Sequence, residues 1–113
     1  MSTSEDANNH DAIILEKPDP KPVSTEIIGN DSNPTIVLRA IFRRNGKVTD
    51  IRLYKVLPEG LREGTKKTLT KRAIEAARQI KFKPAIKNGE AVSMYVQLEY
   101  NFQPDAGNED RKK

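Results

Sequence analysis

Reactive side chains are nearly absent from this sequence. The single histidine, His10, stands in a polar N-terminal stretch and there is no cysteine, so neither a Ser-His nor a Cys-His pair is available for nucleophilic catalysis. The carboxylates Asp50, Glu59, Glu75 and Glu99 have no spacing that aims two of them into one cleft for acid–base work. No metal-ligand spacing is visible, and the glycines are scattered through turns instead of gathered in a phosphate loop. The pattern implies no enzyme, no metal and no cofactor. Two features remain that can make contacts. One is a group of cations, Lys66, Lys67, Lys71, Arg72, Arg78, Lys81 and Lys83. The other is the run Val92, Ser93, Met94, Tyr95, Val96, Gln97 and Leu98, which alternates at period two; residues 93–98 carry neither charge nor proline. There the backbone N–H and C=O groups are the candidate chemistry, because an unprotected strand edge accepts an extended chain as an added strand.

The surrounding elements must present that edge. Ile36, Leu38, Ala40 and Phe42 alternate with Val37, Arg39, Ile41 and Arg43, which predicts a strand from Thr35. Asn45-Gly46 tolerates positive φ and predicts a hairpin turn, with a second strand from Val48 to about Leu57. In that strand Ile51 and Leu53 form a buried face opposite Asp50, Arg52 and Tyr54. Pro58-Glu59-Gly60 ends it. Leu69, Ala73, Ala76, Ala77 and Ile80 recur on one helical face, an alanine-rich stripe narrow enough to lie close against a sheet. Thr65 or Thr68 supplies its cap, and Pro84 requires the helix to end before Lys83. Asn88-Gly89 marks another turn. Val92, Met94, Val96, Leu98, Tyr100 and Phe102 then share one face of a single long strand, part of which extends past its neighbour.

Strand, strand, helix, strand, joined by a right-handed crossover, lays the third strand beside the first and parallel to the second. The expected fold is α+β: a three-stranded antiparallel-type sheet in the order 2-1-3 packed on one main helix. Both outer strands are edges, and the third carries the candidate site.

Only 35% of the 113 residues are hydrophobic, and the two ends hold the fewest, so ordering their backbone has little burial to offset it. Residues 1–12 and 103–113 are expected to be disordered tails, 13–34 a proline-containing lead-in and 35–102 the domain. Pro18, Pro20 and Pro22 make the lead-in an extended, stiff spacer. No apolar run reaches the length of a membrane span, and no secretory signal is present.

Several segments together resemble one family. Val37-Leu38-Arg39, Asn45-Gly46-Lys47-Val48, Asp50-Ile51, Leu57-Pro58-Glu59-Gly60-Leu61, the run Ala73 to Ala77 and Lys87-Asn88-Gly89 follow in order. Most specific are Phe82-Lys83-Pro84-Ala85 and the closing Glu99-Tyr100-Asn101-Phe102. Over residues 13–102 the chain resembles the periplasmic C-terminal domain of TonB-type energy transducers. The resemblance implies a periplasmic, non-enzymatic domain that binds the TonB box of an outer-membrane transporter by adding it to the last strand, supporting energy-dependent nutrient uptake. Three departures accompany it: no transmembrane helix, no long proline-rich spacer, and a first family helix poorly represented in residues 23–29. The chain is then a domain cut from a longer transducer or a free-standing relative that binds without pulling.

Two other readings stand beside this one. The last strand pairs with a second copy of the chain, giving a homodimer. Alternatively, the cations and a pI near 9.4 serve nucleic acid; against this, they lie on the solvent face of a helix with no aromatic stacking residues interleaved, so no nucleic-acid partner is expected.

Overall fold

The computed structural model describes residues 8–23 and 33–102. Their elements run β1 (Ile13–Glu16), β2 (Thr35–Phe42), β3 (Val48–Leu57), α1 (Glu63–Ala77), β4 (Lys81–Lys83), β5 (Ala85–Lys87), β6 (Glu90–Val92) and β7 (Met94–Asn101). The main sheet has the order β3-β2-β7, with both outer strands antiparallel to β2. This is the expected 2-1-3 arrangement. Ile36, Leu38, Ala40 and Phe42 of β2 are all buried in the core, together with Leu98 and Tyr100 from β7.

The two Asn-Gly pairs make different turns. After β2, the Gly46 amide donates to Arg43 O at 2.9 Å and the Arg43 amide to Lys47 O at 2.8 Å, with Gly46 at φ 90° and Asn45 not in the left-handed region. The Asn45 side chain instead accepts from the Lys47 amide at 3.0 Å. Between β5 and β6 both Asn88 (φ 52°) and Gly89 (φ 81°) are left-handed, the two-residue hairpin form, and Lys87 pairs directly with Glu90.

Two bulges break the period of β3. One register shift falls between Val37 and Leu38, the other between Arg39 and Ile41, where Asp50 takes φ 52°. Leu53 therefore lies opposite Leu38 on the inward side, as expected, but it is 45% exposed because α1 leaves that part of the strand uncovered. Around the second bulge, Asp50 Oδ2 accepts from Thr49 Oγ1 at 2.9 Å and from Arg43 at 2.7 Å. These bonds hold its carboxyl below the ordinary range, the Thr49 hydroxyl contributing most and Arg43 next among the stabilising groups.

Thr65, Leu69, Ala73, Ala76 and Ala77 form the buried stripe of α1, which lies against β2 and β3. Neither threonine caps it. Arg62 occupies the N-cap without a side-chain bond, and Thr65 and Thr68 both fall inside the helix, Thr65 buried. The chain then leaves through Ile80, also buried, into β4, where Phe82 stacks on Phe42 at 4.2 Å between ring centroids.

The expected single strand from Val92 to Phe102 is two. Glu90–Val92 folds back on Ala85–Lys87, and all eight residues of Met94–Asn101 pair with β2, leaving no overhang. The break falls at Ser93 because β2 turns away after Phe42; Ser93 Oγ there accepts the Arg44 amide at 3.1 Å.

At the N-terminus, the expectation of a tail through residue 12 fails for His10 to Ala12. His10 and Ile86 exchange both backbone hydrogen bonds at 2.9 Å, and Ala12 packs on the core. The lead-in likewise contributes β1, paired antiparallel with β4, and Val23, which is buried in the core. Residues 1–7 and 103–113, and the segment 24–29 expected to hold the first family helix, lie outside the described residues.

Leu69 has no exposed surface and sits where helix meets sheet. Leu69→Ala is expected to lower stability by about 2–5 kcal/mol, read as a shifted urea midpoint with an unchanged slope. Asp50 should titrate below free aspartate, and its depressed folded value means that its contribution is present above the unfolded pKa and lost as pH falls through the folded one. Thr49→Val is expected to move that titration upward, as followed by carboxyl NMR.

Candidate functional site

The direction of every backbone group on β7 follows from one hydrogen bond. The Phe102 amide donates to Pro34 O at 2.8 Å, and residues 34 and 102 continue the register in which Ile36 faces Tyr100 and Leu38 faces Leu98. In an antiparallel ladder, bonded and non-bonded pairs alternate. Met94, Val96, Leu98 and Tyr100 therefore turn their backbone groups toward β2 and their side chains inward. Tyr95, Gln97, Glu99 and Asn101 turn theirs to the open side. No strand among the described residues lies on that side.

The seven residues singled out in the sequence are thus of three kinds. Val92 is in β6, opposite Ala85, and does not belong to the edge. Ser93 is the corner. Within β7, Met94, Val96 and Leu98 hold the strand down, while Tyr95 and Gln97 present free backbone. Tyr95 is also 81% exposed, the most exposed large apolar side chain among the described residues. Glu99 and Asn101 have the same parity and extend the rim beyond the predicted stretch; the alternation that continues to Phe102 was the signal for them.

A profile of the Gram-negative bacterial TonB protein C-terminal family matches residues 30–104. The chain belongs to that family. No curated protein matches the sequence significantly. Among solved structures, the chain is similar to the solution NMR structure of the Pseudomonas aeruginosa TonB C-terminal domain, with a TM-score of 0.59 over 85% of this chain and 89% of that one. At 14% identity this is a likeness of fold.

In this TonB C-terminal domain the lead-in touches the far end of the rim. Lys17 Nζ donates to Glu99 O at 2.9 Å and lies 4.7 Å from the centroid of the Tyr100 ring. At the near end the Ala12 amide contacts Met94 Sδ at 3.4 Å. The residues flanking β1 thus meet the inward side chains Met94 and Tyr100, and the Lys17 ammonium reaches the open rim. Among the described residues no strand pairs with the outward backbone of Tyr95 and Gln97. Tyr100 itself is buried, its hydroxyl without a hydrogen-bond partner among the described residues, and burial pushes its pKa up to about 12. Among the described residues no cluster of His, Cys, Asp or Glu is arranged to hold a metal, and no helix is long and apolar enough to cross a membrane.

The unfolded chain ionises Tyr100 near pH 10 and the folded chain near 12, so its contribution is complete below the first value and lost as pH rises through the second. Tyr100→Phe is expected to flatten the alkaline fall in melting temperature while changing stability at neutral pH by no more than about 1 kcal/mol, since no made bond is lost.

Proposed function

We propose that this domain is a non-enzymatic periplasmic binding module that takes up the TonB-box segment of an outer-membrane transporter as an added strand on β7, in support of energy-dependent nutrient uptake. The observation that carries this reading is the open rim at Tyr95 and Gln97. Family membership supplies the partner class, and the ladder supplies the means of binding.

An incoming segment bonds first at Tyr95 and Gln97. To extend further it replaces the Lys17 ammonium on Glu99 O, an exposed contact of about 0.5–1 kcal/mol that a backbone hydrogen bond can offset. Backbone pairing attracts the segment while its loss of freedom opposes binding, which gives weak to moderate affinity. Self-pairing of the same edge is the second reading, favoured by the exposure of Tyr95.

A proline scan tests the rim, because proline is tolerated where the missing amide faces solvent and not where it belongs to a ladder. Gln97→Pro is expected to weaken a TonB-box peptide by roughly tenfold, in proportion to one or two lost backbone bonds, with the melting temperature nearly unchanged. Val96→Pro should unfold the sheet. Titrations monitored by amide NMR measure the first and thermal unfolding the second; equal peptide affinity in the folded Gln97→Pro protein overturns the site. Sedimentation equilibrium distinguishes self-pairing, which Gln97→Pro would dissociate.

A further inference from the structure

The opposite edge of the sheet carries a second surface. Between β3 and α1 runs a groove of about 890 Å³ whose floor includes Leu53, Val56 and Ile74. Leu53 and Val56 lie opposite Leu38 and Ile36, residues whose own backbone groups face β7, so these β3 positions also turn their amides outward. No strand among the described residues covers them.

The rim of this groove is cationic. Lys67, Lys71 and the C-cap residue Arg78 stand with Ile74 along one ridge of α1, at the spacing of neighbouring turns. Of the carboxylates at the groove, Glu63 is paired with Lys66 at 3.1 Å and Glu75 with Arg72 at 3.9 Å. That leaves Glu59 as the one lining carboxylate outside an ion pair, against three ridge cations that have none among the described residues. Lys67 and Lys71 are about 6 Å apart at their Cβ atoms, close to the roughly 6.6 Å between same-face side chains of an extended chain, and Arg78 stands about 10 Å beyond Lys71 with Ile74 between them.

We infer that the β3–α1 groove docks an acidic extended peptide segment of a partner protein, separate from any segment held on β7. Its backbone pairs with the open β3 edge, and the alternate side chains that this turns toward α1 cover Leu53, Val56 and Ile74 with apolar groups and meet Lys67, Lys71 and Arg78 with carboxylates. An apolar floor beside an unpaired strand edge suits a peptide better than a nucleic acid, whose bases need stacking faces.

The test uses a fluorescent short peptide with the repeat glutamate-serine-valine-serine, its lysine-serine-valine-serine counterpart, and an oligothymidylate, each titrated against the full chain. Only the acidic peptide is expected to bind, shifting the amides of Leu53, Val56 and Ile74. Affinity should fall roughly tenfold or more in Leu53→Glu and in the double variant Lys67→Glu, Lys71→Glu, with a strong salt dependence in the parent. All of these residues are exposed except Val56 and Ile74, so the substitutions spare the core. Gln97→Pro should leave this binding unchanged. Equal binding of the lysine peptide, preferred uptake of oligothymidylate, shifts confined to β7, or a dimer in sedimentation that Leu53→Glu dissociates would each overturn the assignment.

Discussion

β2 is the strand on which the rest of the molecule depends. It is hydrogen-bonded along both sides, to β3 and to β7, and its inward residues Ile36, Leu38, Ala40 and Phe42 are all buried. Because side chains and backbone groups both alternate along a strand, fixing β2 in the core fixes which amides of its neighbours face inward and which face solvent. The free groups of Tyr95 and Gln97 are thus a geometric consequence of burying Ile36 and Leu38. A one-residue slip of β7 would turn Tyr100 and Leu98 out to solvent and point the wrong amides at the rim.

The small pieces of chain around this sheet close the core that three strands and a narrow helix leave incomplete. α1 reaches β3 and β2 but its stripe is largely alanine. The Phe82 ring of β4, stacked on Phe42, fills the space beyond it, and β1 and Val23 add to that cover. The lead-in is therefore part of the domain as well as an approach to it. Among the described residues, its contact with the open rim, from Lys17 to Glu99, is exposed and weak, which lets it shield the end of β7 without closing the edge.

Sheet order, the helical face and the strand carrying the free edge were all legible from periodicity, since each rests on many residues repeating at one spacing. Short elements were not. The three-residue strands β4, β5 and β6 give too few repeats to stand out, and the alternation from Val92 to Phe102 runs unbroken across Ser93 although the chain changes partner there. In β3 the two bulges alter the step between inward residues, which is why inward-facing residues there do not follow simple alternation.

Sequence alone determined that the chain has one histidine and no cysteine, that its main elements run strand, strand, helix, strand, and that residues 94–98 of its last strand carry neither charge nor proline. Those properties depend on residue identity and near-neighbour spacing. Tertiary structure decided which of two identical Asn-Gly pairs places both residues in the left-handed region, where Lys17 comes to rest, and that Gln97 rather than Val96 offers its amide to solvent. Such outcomes depend on register between distant segments, and register is set by the packing of both partners at once, which no single stretch of sequence encodes.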